Sequence, residues 1–452
     1  MLTRVCLGFV LLAAPPVWSQ LGSVPFDMPD TTTDEARMLA PPPVSVQGYP
    51  STVGSEIRSN YLAAGLIFNT AYSDNVLPGT STVPVSDFIY SVLPTIALSQ
   101  TTPRQQLALT YSPGFTFYQH TGALNAMNQA ANLNFQYRLS QHTTINLSDS
   151  FQKTSNVFDQ LYPPSGAGVV SGSQPPSAEV VAPYADRLNN GANAMLNYQF
   201  NRNGMIGVGG TSTKSNYSNP SQAQGFYNSS ALGGSIFYTQ RLSSRQYIGV
   251  TYQYLKGQSD PVNAQASPMN AQTSTQTHTV LPFYTVYLDP TISISISVGP
   301  QYLDATQNPS PSVRSWTPSA MASIGWQRSR TNFVLTYART ITGSTGLPGA
   351  FDSNATTASM QWQITRTWNI GAGGNYFINK NVTPSFSSSN PGGHTISGTV
   401  SVQHSIGEHL SAEIGYNRLH QSYSGIPVIS DVPNSNREYI SLSYQFTRPL
   451  GR

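Results

Sequence analysis

The sequence predicts an all-β protein, a transmembrane antiparallel up-and-down β-barrel of about 18 strands within a range of roughly 14 to 20. Three observations carry this. Residues 291–299 read "TISISISVG", an alternation that gives a strand one apolar and one polar face. Charged residues make up only 9% of the chain, against roughly 25% in soluble domains. A soluble β-protein coats its outer face with Lys, Glu and Asp, whereas this chain has 4 Lys and 6 Glu. Finally, no stretch after the N-terminus approaches the roughly 20 apolar residues of a membrane helix.

The chain opens "MLTRVCLGFVLLAAPPVWSQ". Arg4 supplies a positive start, residues 5–14 are apolar, and Val17 and Ser19 fit a cleavage site. Residues 1–19 therefore read as a secretory signal peptide. Cys6, the sole cysteine, lies inside it. A mature chain without cysteine has no disulfide, no thiolate metal site and no thiol nucleophile. Residues 20–59 contain "APPPVSVQGYP", whose three prolines favour an extended segment. It is expected as a periplasmic tail, with a short plug or a docking segment for a partner as the alternatives.

The barrel is expected over residues 60–452. Tight polar turns recur near 102, 141, 202, 243, 289, 329, 366 and 406. Most are about 40 residues apart, the length of two membrane strands and one longer connection. The alternating runs between them predict strands at 61–72, 86–99, 105–118, 128–139, 143–154, 189–200, 205–216, 228–241 and 245–257. A second set follows at 274–288, 291–303, 315–327, 331–343, 353–365, 368–380, 392–404, 409–421 and 436–447. Both ends then lie on the short-turn side, expected as periplasmic. The longest connection, 155–188, reads either as an inward constriction or as a surface loop.

Face assignments follow from parity. In "ANLNFQYRL", Ala131, Leu133, Phe135, Tyr137 and Leu139 oppose Asn132, Asn134, Gln136 and Arg138. The polar face is almost uncharged, which suits a lumen better than a soluble exterior. Aromatics on the apolar face gather at both strand ends. Tyr137, Phe200, Tyr238, Trp326, Trp368 and Phe446 lie near the short turns, and Tyr72, Phe117, Tyr254, Tyr376 and Tyr416 near the long loops. Two girdles mark two membrane–water interfaces. Ser293, Ser295 and Ser297 are thus expected to line a lumen. Two features resist the pattern. Asp149 falls on the apolar face, which calls for a bulge or a neighbouring subunit, and strand 274–288 is apolar on both faces, as if the barrel were filled there.

Few residues suggest chemistry. Arg138, Arg241 and Arg245 are expected on the lumen wall near the short turns, with Glu413 on the wall opposite. So neutral a wall suits uncharged or sugar-like solutes better than ions. Lys153, Lys214, Lys256, Arg339, Lys380 and Arg418 fall at the long-loop ends on the lipid side. They read as a collar for lipopolysaccharide phosphates or as ordinary snorkelling side chains. The seven histidines form no HExxH or other metal spacing, and no GxSxG is present. No catalytic residue, metal or cofactor is expected, and a net charge of +3 does not argue for nucleic acid.

Residues 61–118 resemble the opening of the β-barrel porin-2 group of outer-membrane proteins. Asp74-Asn75-Val76 before a loop, then Asp87, Pro94, Arg104, Leu107 and Tyr111, carry the resemblance. It implies a barrel in the bacterial outer membrane, with lipid and lipopolysaccharide around it and no catalytic residue. Some relatives accompany exopolysaccharide export. The end, "YISLSYQFTRPLGR", resembles the aromatic-ended strand read by the barrel-assembly machinery, through Tyr444 and Phe446, although six residues follow Phe446. The expected function is a porin-like channel for passive diffusion of small, hydrophilic, mostly uncharged solutes. The alternative is a non-conducting or gated barrel tied to surface polysaccharide export or envelope structure.

Overall fold

The computed structural model describes residues 38, 40–41, 44, 60–77, 83–156, 158, 184–220, 222–223, 226–262, 272–307, 310–343, 347, 349–383, 392–424 and 434–450. Residues 1–19, expected as a signal peptide, most of segment 20–59 and the middle of connection 155–188 lie outside the described residues.

Eighteen strands form, as the alternation requires. They are β1 (Tyr61–Ser73), β2 (Asp87–Thr101), β3 (Gln105–Tyr118), β4 (Ala126–Arg138), β5 (Thr143–Asn156) and β6 (Tyr184–Asn201). Next come β7 (Gly204–Tyr217), β8 (Tyr227–Ser243), β9 (Gln246–Pro261), β10 (Thr273–Asp289), β11 (Ile292–Gln307) and β12 (Ser310–Arg328). The last six are β13 (Thr331–Thr342), β14 (Phe351–Gln363), β15 (Trp368–Asn381), β16 (Gly393–Ile406), β17 (Leu410–Tyr423) and β18 (Asn434–Pro449). Each pairs antiparallel with its chain neighbours, and β1 pairs with both β2 and β18. The sheet is closed, so no edge strand is left to template aggregation.

Alternation fixes which face looks inward. Ser293, Ser295 and Ser297 are buried, whereas Ile296 and Val298 are more than half exposed. The same sorting puts Phe68, Ile96, Val208, Ile236, Val400, Ile414 and Ile440 on the outside. Apolar outside and polar inside inverts a soluble barrel and is the arrangement of one that spans a bilayer.

Turn chemistry separates the two rims. Short connections join β2–β3, β4–β5 and every second pair thereafter on the rim where β1 starts and β18 ends. At one of them Asp289 Oδ1 accepts from Thr291 N at 2.6 Å, Thr291 Oγ1 at 2.7 Å and Ile292 N at 2.9 Å. The opposite rim carries the longer connections, with one exception. Strands β11 and β12 run past the rim and meet through residues 308–309. Their extra length was illegible in the pattern because its inner face, with Ala305 and Val313, is apolar. Those residues are covered by Ile341 and Ala350, which the 341–350 stretch brings over them.

The seam between β18 and β1 is tied at the long-loop rim. Asp74 accepts from Asn436 N at 2.7 Å and from Asn436 Nδ2 at 2.6 Å, while Asn75 Nδ2 donates to Asn434 O at 3.0 Å. Ser435 Oγ donates to Asn75 O at 2.7 Å. The Asp-Asn pair noted in the sequence therefore pins the loop end of a seam that the β1–β18 ladder itself closes. Asp149 keeps its outward position, because the β4–β5 and β5–β6 registers run unbroken through it. No bulge turns it inward. Asn190 Nδ2 donates to its Oδ1 at 3.1 Å.

Candidate functional site: the barrel lumen

The inner wall is built by alternate residues of every strand, and it differs from one side to the other. On β3 and β4 the inward residues Ala108, Thr110, Asn132 and Asn134 are exposed, so water reaches this wall. On β9 to β11 the inward Thr251, Thr285, Ser293, Ser295 and Ser297 are buried. Thr285 Oγ1 and Ser295 Oγ lie 2.9 Å apart and satisfy each other there.

Part of what covers the second side is apolar. Met205 (β7), Phe237 (β8) and Phe283 (β10) form one buried cluster with Met38 and Val44. Met195, Tyr247 and Ala40 pack against it. Phe283 belongs to the strand that read as apolar on both faces, and its inner face is indeed filled. The described residues of segment 20–59 thus lie against the inside of the barrel.

A second apolar group stands at the long-loop end. Ala185 (β6), Tyr217 (β7), Ala223, Phe226, Leu347, Phe351 (β14) and Tyr423 (β17) share one buried cluster. In an 18-strand ring, β6 and β14 are far apart, so the connections carrying Phe226 and Leu347 reach inward to join them. Ser259 Oγ of β9 donates to Gly343 O at 2.8 Å, which pins the start of the 343–350 connection across three strands. Gly349 adopts φ +97°, a conformation costly for other residues. Ala350 N then donates to Thr383 Oγ1 at 2.9 Å. Phe158, from the start of the 155–188 connection, is also buried, with the Arg437 guanidinium 5.7 Å from its ring centre.

The predicted wall charges are dispersed. Arg241 and Arg245 share the β8–β9 hairpin, but Arg138 stands on β4. Arg241 Nε donates to Ser243 O at 3.3 Å and Arg245 Nη1 to Leu288 O at 3.3 Å, so both serve turn carbonyls. Glu413 is buried and accepts from Tyr439 Oη at 2.8 Å. That tyrosine ring lies over Gly415, where a Cβ would sit 2.3 Å from it. Two buried arginines escaped the sequence reading. Arg187 donates from Nε to Ser215 Oγ at 2.8 Å and lies 5.7 Å from the Tyr217 ring centre. It sat in a presumed loop because β6 begins earlier than its alternation suggests. Arg437 was detectable, since it shares the polar parity of β18 with Ser441 and Ser443. Among the described residues no three His, Cys, Asp or Glu side chains group to hold a metal ion.

On the outside, Lys153, Lys214, Lys256, Arg339, Lys380 and Arg418 all share parity with the lipid-facing residues of their strands. Arg339 is paired, with Nη2 2.9 Å from Asp352 Oδ2. The aromatic girdle residues also point outward, including Phe200, Tyr238, Trp326, Trp368 and Phe446 at the short-turn end and Tyr72, Phe117, Tyr376 and Tyr416 at the other.

No family model matches the chain, and no curated protein matches it. The motif-level resemblance of residues 61–118 to the porin-2 group thus has no family match beside it. Solved structures do align. The unliganded ferric citrate transporter FecA gives a TM-score of 0.44 at 11% identity, over 86% of this chain and 79% of that one. OccK2 (OpdF) of Pseudomonas aeruginosa, solved in complex with glucuronate, gives 0.40 at 7% over 85% and 98%. OpdQ of the same organism gives 0.39 at 9% over 87% and 100%. At these values no property of those proteins passes to this one, and the strand pairing itself establishes a closed 18-strand barrel.

Proposed function

We propose that the protein is a bacterial outer-membrane channel for passive diffusion of small, hydrophilic, mostly uncharged solutes, with its short turns and both barrel ends on the periplasmic side. The observation that carries this reading is the water-exposed wall of β3 and β4, where Thr110, Asn132 and Asn134 offer hydroxyls and amides and no charge. Such groups exchange hydrogen bonds with a passing solute and with water at similar strength, so a solute is guided without being trapped. Arg241, Arg245 and Glu413 are each engaged by neighbours, which weakens any ladder of free charge. A second reading, a barrel closed at rest, is favoured by the apolar cluster that gathers Phe226 and Leu347 at the outer mouth.

Liposome swelling tests the first reading. Vesicles carrying the folded protein should swell in isotonic neutral monosaccharide faster than in a singly charged sugar acid of similar size. Equal or reversed rates would contradict a neutral passage.

A further inference from the structure

We propose that Met38, Ala40, Pro41 and Val44 belong to a displaceable strap, seated in a luminal cradle of Met205, Phe237 and Phe283, that narrows the periplasmic half of the lumen. Its docking stands on geometry alone; its effect on transport rests on the channel reading.

The cradle is out of character with its surroundings. Its neighbours on the inner wall include Thr239, Thr251, Thr285 and Ser295, residues suited to water, with Leu281 continuing the apolar floor along β10. Three large apolar side chains facing inward would be costly if bare, and all three are nearly fully buried. The rings also lie close along the wall. A Cβ on Gly207 would stand 2.2 Å from Phe237 Cε1, and one on Gly249 2.4 Å from Phe283 Cζ. Only glycine at these cross-strand positions lets the rings settle onto the sheet and form a floor. Met38 and Val44 complete that floor from above, at 4% and 6% exposure.

The mode of attachment suits release. Met38 N donates to Gln199 Oε1 at 3.1 Å, and Val44 N donates back to Pro41 O at 3.0 Å, so the segment turns on itself. Pro41, Pro42 and Pro43 have no N–H and cannot add to a β-ladder. Among the described residues, the burial of Met38 and Val44 and one hydrogen bond to Gln199, not strand pairing, hold the strap, and it can leave without breaking the barrel. The chain from Val44 to Tyr61 can span roughly 55 Å when extended, enough to carry the strap out of its seat.

The test uses the full barrel in a Cys6→Ser background. Val44→Cys and, separately, Thr110→Cys on the open wall are exposed to a water-soluble maleimide. Docking predicts labelling at residue 44 at least tenfold slower than at 110. Phe237→Ser with Phe283→Ser should erase most of that difference, provided the variant keeps the heat-modifiable gel migration of a folded barrel. Should that variant fail to fold, Met38→Ser, which leaves the barrel intact, serves in its place. Rapid labelling of Val44→Cys in the otherwise unaltered chain, or protection that survives loss of the cradle and of Met38, would overturn docking. Conductance separates the two readings. Met38→Ser with Val44→Ser should raise single-channel conductance at least twofold. Equal conductance would refute narrowing and leave the channel standing. No conductance from either protein, with protection still lost on cradle removal, would refute the channel and leave docking standing.

Discussion

At the scale of single residues, the strongest local device is Asp87, the first residue of β2, at the long-loop rim. Its carboxylate is buried and accepts from Phe88 N at 2.8 Å, Thr121 N at 2.8 Å, Thr121 Oγ1 at 2.6 Å and His120 N at 3.0 Å. His120 Nδ1 also stands 3.0 Å from it. Burial alone would raise its pKa, but the bonds from Thr121 and His120 outweigh this and hold it at about 2. A folded value below the unfolded one means that the stabilisation is complete above about pH 4 and is lost as pH falls toward 2. The rim around residues 119–125 should therefore keep its amide protection at pH 4 and lose it near pH 2. Asp87→Asn places an amide against these donors and should cost about 2 kcal/mol of local stability at neutral pH. Unchanged exchange at His120 and Thr121 in that variant would refute the assignment. Asp87 stood out in the sequence within a family-like motif, but its donors lie on the β3–β4 connection, which no strand pattern describes.

At the scale of elements, strands were legible and connections were not. Period-two alternation is a local property, so "ANLNFQYRL" and "TISISISVG" revealed both strand and face. Two kinds of segment escaped. The ends of β6, β11 and β12 run past the expected boundaries, where apolar inner residues such as Ala305 and Val313 break the alternation. Gly343, Leu347 and Ala350, between β13 and β14, are held by Ser259 of β9, by Thr383 just past β15 and by the mouth cluster, all distant in sequence. Among the described residues of the β13–β14 connection Leu347 joins the cluster, and it is fully buried. Leu347→Ser removes an apolar side chain and should destabilise the inward fold by about 3 kcal/mol, within the range for large-to-small core changes. Its barrel should stay folded while long closed intervals in bilayer recordings shorten. Unaltered closed times would show that this cluster does not obstruct the mouth.

At the scale of the whole molecule, the account joins a closed sheet, a lipid-facing exterior and a polar interior occupied on one side. The low charge of the chain forecast the first three, because neither lipid nor a neutral lumen calls for Lys or Glu. The occupied side was legible only as an anomaly, a strand apolar on both faces, since nothing local tells that Phe283 meets Val44. Ser293, Ser295 and Ser297 share the buried face of β11, while Arg241 and Arg245 donate to the carbonyls of Ser243 and Leu288, partners that parity cannot reveal. The central claim is that a water-filled path remains along β3 and β4. Single-channel recording of the refolded protein in a planar bilayer tests it most directly. The account predicts discrete conductance steps with a cation-to-anion permeability ratio within about threefold of unity, as a nearly uncharged wall requires. A barrel shown to be folded by circular dichroism that gives no steps, even with Met38→Ser, Val44→Ser and Leu347→Ser combined, would contradict it.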